Sequence, residues 1–112
     1  MAVVETPQRY EVWLLAPESS GGAGGREARP AVIVSPDEMN RHVQAVIVAP
    51  MTTAARSYPT RVPVQFEGKD GQIALEQMRT VDKARLVRRA GALPDAIARQ
   101  VAAVLVEMFA YD

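Results

Sequence analysis

Arg61-Val62-Pro63-Val64-Gln65-Phe66-Glu67-Gly68-Lys69-Asp70-Gly71-Gln72-Ile73-Ala74-Leu75-Glu76-Gln77 is the stretch whose reading decides the fold. Apolar and polar residues alternate over 61–66, the period of a strand with one buried face. Pro63 inside the run predicts an edge strand, because proline has no N–H to give to a central ladder. Gly68-Lys69-Asp70-Gly71 reads as the hairpin turn into a second strand over 72–77. Upstream, 31–34 and 45–49 are short β-branched runs of strand length, ended by Pro36 and Pro50, and 9–15 reads as a first strand. The segment 36–42 between those runs is polar and turn-rich. Downstream, 85–89 reads as one more short strand. The period then changes: after Pro94, residues Ile97, Val101, Val104, Leu105 and Met108 fall on one helical stripe. Strands in series followed by one terminal helix predict a mainly β barrel closed by that helix.

At 112 residues the chain has material for a single domain, residues 1–112, with 1–8 as an N-terminal tail. The hydrophobic share of 48% is ample for a packed core and far from a disordered composition. There is no cysteine, which excludes disulfides and thiolate-bound zinc or iron–sulfur centres, and the single His42 excludes sites that need two imidazoles. No clustered acidic motif suggests magnesium, so no metal or cofactor is expected. No signal peptide and no apolar run long enough for a membrane span stand out, so a cytoplasmic protein with no membrane partner is expected.

The formal net charge is zero, which argues against a nonspecific coat for nucleic acid. Its distribution is uneven. Acids gather early, at Glu5, Glu11, Glu18 and Glu27; bases gather later, from Arg41 to Arg89. Eleven of the thirteen bases are arginine, a bias that suits bidentate phosphate contacts and that a GC-rich genome also produces. The run Glu18-Ser19-Ser20-Gly21-Gly22-Ala23-Gly24-Gly25-Arg26-Glu27 has neither dinucleotide nor P-loop spacing, and 18–28 reads as a mobile surface loop.

Three blocks carry a resemblance. They are Arg29-Pro30-Ala31-Val32-Ile33-Val34-Ser35-Pro36; Val48-Ala49-Pro50-Met51-Thr52-Thr53 with Tyr58-Pro59-Thr60-Arg61-Val62; and Leu75-Glu76-Gln77-Met78-Arg79-Thr80-Val81-Asp82-Lys83. In this order and spacing the chain resembles the MazF/PemK toxins over nearly its whole length. The resemblance implies an SH3-like β-barrel with a C-terminal helix, acting as a homodimer and inhibited by an antitoxin with an acidic tail. It implies sequence-specific cleavage of single-stranded RNA by attack of a ribose 2′-hydroxyl on the adjacent phosphate. Such a step leaves a cyclic phosphate and a free 5′-hydroxyl.

That chemistry needs a fixed cation and donor facing the phosphorane oxygens. The blocks assign these roles to Arg29, whose backbone Pro30 holds extended, and to Thr52. By themselves the same residues read as a solvated strand-end charge and a local turn former. Glu76 stands where some relatives carry an aspartate treated as a general base; its other reading is a carboxylate paired with Arg79 or another base. Gln77 reads either bases or packing, and Arg79 holds RNA backbone or Glu76. Arg26, Thr53 and Arg56 complete the expected RNA-binding set.

His42 has the side chain suited to proton transfer near neutral pH, but its polar surroundings argue for an exposed turn. The glycine-rich 18–28 loop departs from the family's usual Asp-Pro-Thr-x-Gly segment; a lid over the groove and a plain connector both fit. Arg9-Tyr10-Glu11-Val12-Trp13 keeps the family's tryptophan strand but loses its glycine turn, and Trp13 reads as core or dimer seam. A binder of DNA gyrase on the same barrel is the alternative function. The Arg29 and Thr52 blocks speak against it, because a pure binder needs neither. A peptide-binding barrel would need an aromatic groove, for which 5% aromatics leave little material.

Overall fold

The computed structural model describes residues 5–17 and 27–112. Seven strands form one curled sheet: β1 (Glu11–Leu15), β2 (Arg29–Ile33), β3 (Ala45–Thr52), β4 (Arg61–Phe66), β5 (Lys69–Ala74), β6 (Arg79–Asp82) and β7 (Leu86–Ala92). Two helices complete it, α1 (Asp37–His42) and α2 (Asp95–Phe109). The strand order is β4-β5-β3-β2-β1-β7, with β6 also paired to β3. All pairings are antiparallel. The expected β fold with a terminal helix is what the chain adopts, and β4, with its Pro63, lies at the sheet edge.

β3 organises the curl. Its first half, Ala45 to Val48, pairs with β6, while Met51 and Thr52 pair with β5. Pro50, with no N–H to donate, stands where one partner gives way to the other. The chain bridges the two partner strands by a 3₁₀ turn, Leu75–Gln77, so the strand expected over 72–77 ends at Ala74 and β6 begins after the turn.

The apolar runs are continuous because the sheet is buried on both faces. Val32 and Ala49 lie with Val62, Ile73 and Leu75 under α2, which contributes Ala98 and Val101. Their neighbours Ala31, Ile33, Val46 and Val48 point the other way, joining Trp13, Leu15 and Val81 in a second cluster. Each fully buried Val, Ile or Leu contributes about 1.5–3 kcal/mol, so both layers are substantial. Trp13 is therefore core. Its indole Nε1 donates to Glu11 Oε1 at 2.9 Å, and the buried Glu11 also takes Arg89 Nη1 at 3.0 Å.

Three local readings change. The polar segment at 36–42 contains the helix α1, with Asp37 and Glu38 in its first turn and Arg41 and His42 in its last, charges that suit the helix dipole. Tertiary bonds lock it: Ser35 Oγ donates to buried Asn40 Oδ1 at 2.6 Å, and Asn40 Nδ2 donates back to Ser35 O at 3.0 Å. The hairpin turn is Glu67-Gly68, not 68–71: Phe66 pairs with Lys69, and both turn residues have positive φ, 52° and 79°, as a type I′ turn requires. Finally, Tyr10 takes φ 74°, the left-handed region natural to glycine. The turn that the missing glycine would favour is kept, held by Tyr10 N donating to Ile33 O at 2.7 Å and Leu93 N donating to Tyr10 O at 2.9 Å.

Candidate functional site

The sheet's register brings together residues that are distant in sequence. β2 and β3 pair Ala31 with Pro50, and Arg29 stands two residues before the one and Thr52 two residues after the other, at the same end of the pair. Pleat alternation puts Arg29 on the face of Ala31 and Ile33, and Thr52 on the face of Val48 and Pro50. Arg79, the β6 partner of Val48, belongs to that face too. Where these strand ends meet, an open groove of about 970 Å³ is lined by Arg29, Thr52, Thr53 and Arg79, with Lys69 and Arg85 contributing further cations. Glu27, Glu67 and Asp70 also border it, so its charge is mixed with a basic excess.

Arg29 is exposed, and its side chain makes no hydrogen bond or ion pair with any described residue. Its guanidinium is thus available to a ligand. Thr52 is half-buried, and its Oγ1 accepts the Ala54 N–H at 3.0 Å, closing a local hydroxyl turn. An acceptor so engaged leaves the single O–H hydrogen to be donated elsewhere. Gly71 backs this strand end: a Cβ there would stand 2.9 Å from the Thr52 carbonyl oxygen, so only glycine admits the approach of β5. Arg85 anchors the exit of β1, its Nε donating to Ala16 O at 3.1 Å.

Glu76 does not line the groove. Its Oε1 accepts from Thr60 Oγ1 and its Oε2 from Arg61 Nε, both at 2.7 Å. Burial raises the Glu76 pKa, but the hydrogen bonds from Thr60 and Arg61 outweigh it and hold the carboxyl below its ordinary 4.5. The folded value being the lower one, this pairing stabilises the fold above the unfolded pKa and is lost as pH falls through the folded value. It is intact at neutral pH. Of the two readings of Glu76 the geometry favours the paired carboxylate, with Arg61 as its partner. Arg56 and Gln77 are exposed and stand off the groove lining, and Arg26 lies outside the described residues, as does most of the 18–28 loop. His42 is exposed at the end of α1, with Nε2 3.6 Å from Glu38. Among the described residues no group of three or more His, Cys, Asp or Glu is arranged to hold a metal ion, and no helix is long and apolar enough to cross a membrane.

Residues 8–109 match the PemK-like, MazF-like toxins of type II toxin–antitoxin systems. The chain belongs to this family. A MazF endoribonuclease of Staphylococcus epidermidis is 38% identical over 87 residues, which is 70% of this chain and 71% of that protein. The MazE–MazF crystal structure from Deinococcus radiodurans superposes with a TM-score of 0.81 at 21% identity, covering 97% of this chain and 100% of that one. A mycobacterial endoribonuclease solved with its cognate antitoxin gives 0.76 at 24% identity, over 95% and 99% of the two chains. Identities this low show a shared fold, and that fold is the MazF barrel. Lys69 and Arg85, which line the groove, and Arg61, which holds Glu76, have no site role in the sequence reading. Arg61 and Lys69 lie in a stretch whose alternation reads simply as a hairpin.

Proposed function

We propose that this MazF/PemK family member is a metal-independent endoribonuclease toxin that cuts single-stranded RNA at specific sequences. The observation that carries the reading is the exposed Arg29 guanidinium, without a partner among the described residues, lining one open groove with Thr52. In the proposed reaction the 2′-hydroxyl oxygen bonds to the adjacent phosphorus as its proton leaves to a base. The bond from phosphorus to the 5′-oxygen breaks and that oxygen takes up a proton, leaving a 2′,3′-cyclic phosphate and a 5′-hydroxyl. Arg29 neutralises the extra charge on the phosphorane oxygens, and Thr52 donates its O–H to one of them. Arg79, Lys69 and Arg85 hold the backbone on either side. The kinship with the S. epidermidis endoribonuclease supports the activity. Relatives solved with antitoxins support a protein inhibitor, and the proposal gives that inhibitor an acidic tail that competes for the groove, whose lining has a basic excess. A homodimer in the cytoplasm completes the proposal.

The test is cleavage of a long single-stranded RNA in EDTA. Discrete cuts with cyclic-phosphate ends are expected, undiminished by the chelator. Thr52→Val, which removes the hydroxyl and keeps the shape, should lower kcat by roughly 10- to 100-fold. Cutting that stops in EDTA, or ends bearing a 5′-phosphate, would sink this mechanism. Gly71→Ala provides a second check. Its Cβ must displace the Thr52 backbone, so a loss of about 1–3 kcal/mol in stability is expected, together with a fall in kcat of roughly ten-fold or more. Unchanged denaturation midpoint and turnover would show that the strand end yields freely.

A further inference from the structure

Arg61 is an arginine that the fold has all but enclosed. Its side chain is 5% exposed, beside a Glu76 side chain that is 27% exposed. The guanidinium divides its donors among three segments. Nε donates to Glu76 Oε2 at 2.7 Å; Nη1 donates to Gln72 Oε1 at 2.9 Å and to the carbonyl of Ala54 at 3.1 Å. Tyr58 lies against its face, 5.2 Å from the ring centroid. Gln72, the cross-strand partner of Thr52, also accepts from Arg56 N at 3.1 Å and donates to Arg56 O at 3.3 Å. The 53–60 connection between β3 and β4 is thereby fixed from below by side chains that are not in the groove.

The bond to Ala54 matters most. Ala54 presents its carbonyl to Arg61 and its N–H to Thr52 Oγ1, at 3.0 Å. We propose that Arg61, aimed by Glu76, is a positioning residue for the Thr52 hydroxyl, acting through the backbone of Ala54. The proposal rests on the role given to Thr52 above. By holding Ala54, Arg61 keeps the acceptor side of the hydroxyl occupied and its hydrogen directed outward, toward a phosphate oxygen. Glu76 serves by orienting the guanidinium fork, and the proton of the 2′-hydroxyl goes elsewhere. Lysine at 61 would keep the charge but could not reach Glu76, Gln72 and Ala54 from one rigid plane.

A double-mutant cycle on the full chain decides the matter. Arg61→Lys should lower kcat about ten-fold with KM within about two-fold, because the groove cations are untouched. In a Thr52→Val background the same change should cost less than about two-fold, since no hydroxyl remains to be aimed. An equal loss in both backgrounds, or no loss in either, overturns the proposal. If Arg61→Lys fails to fold, Glu76→Gln runs the same cycle; a large loss that persists without the Thr52 hydroxyl would mark Glu76 as the base instead. The Ala54 amide gives a readout independent of catalysis, and its hydrogen exchange should quicken about ten-fold or more in Arg61→Lys. Unaltered exchange refutes the clamp. A wild-type protein that cuts no RNA removes the nuclease reading, while the exchange result still rules on the clamp.

Discussion

Arg29→Ala is expected to reduce RNA cleavage by about 10²–10³-fold, the usual effect of deleting one donor aimed at a developing oxyanion, and to leave the fold as stable as before. The second half of that statement follows from the structure. Arg29 is exposed at the first position of β2 and has no partner among the described residues, so truncation strands no buried group and opens no cavity. A stability change within about 0.5 kcal/mol is expected on that ground. Arg29→Lys should recover part of the rate, since the charge returns without the planar fork. Turnover of a defined oligonucleotide, measured beside thermal denaturation of each variant, checks both halves. A wild-type rate in Arg29→Ala would remove Arg29 from the chemistry. A large fall in denaturation midpoint would make it structural.

Legibility in the sequence was uneven for physical reasons. The 61–66 strand was readable because one face is buried and the other wet, which is what alternation reports. The runs at 31–34 and 45–49 were readable as strands from length and β-branching, although which residue faces which core depends on the curl. The helix α1 is not legible because its six residues, polar but for Met39, carry no apolar period and owe their shape to the Ser35–Asn40 lock. β6 was missed because Leu75 continues the alternating pattern of β5 while turning into α2's core, so the chain bends where hydropathy gives no sign of it.

The candidate site divides the same way. No local feature of Arg29-Pro30 or Thr52-Thr53 says that they line one groove; that follows from the antiparallel pairing of β2 with β3, and in the sequence only the family resemblance points to it. Arg61 was hidden for the converse reason. Its burial is built by Tyr58, Gln72 and Glu76, and only the closed barrel brings them around one guanidinium.

The fold itself hangs on the α2 contact, and there the largest effect on stability is expected. Val101 is fully buried, the point where α2 meets Val62, Ile73 and Leu75. Val101→Asp would set a carboxylate in that apolar layer, while the enclosed Arg61 guanidinium is already taken up by Glu76 and Gln72. The penalty for an unpaired buried charge is several kcal/mol even after relaxation, against a total stability for a domain of this size of about 5–15 kcal/mol. The variant is therefore expected to be unfolded or insoluble at 37 °C, with its helical circular dichroism signal lost and its RNA cleavage gone. Arg99→Ala, two residues earlier on the same helix, is the contrast. It breaks an ion pair to Asp95 of 2.7 Å, but both side chains are about 80% exposed, and water leaves such pairs worth roughly 0.2–1 kcal/mol at most. A folded Val101→Asp with wild-type unfolding temperature would mean that α2 is an appendage and the barrel closes without it. Loss of fold in Val101→Asp beside an intact Arg99→Ala would mean that the helix closes the core beneath the strands whose far ends carry Arg29 and Thr52.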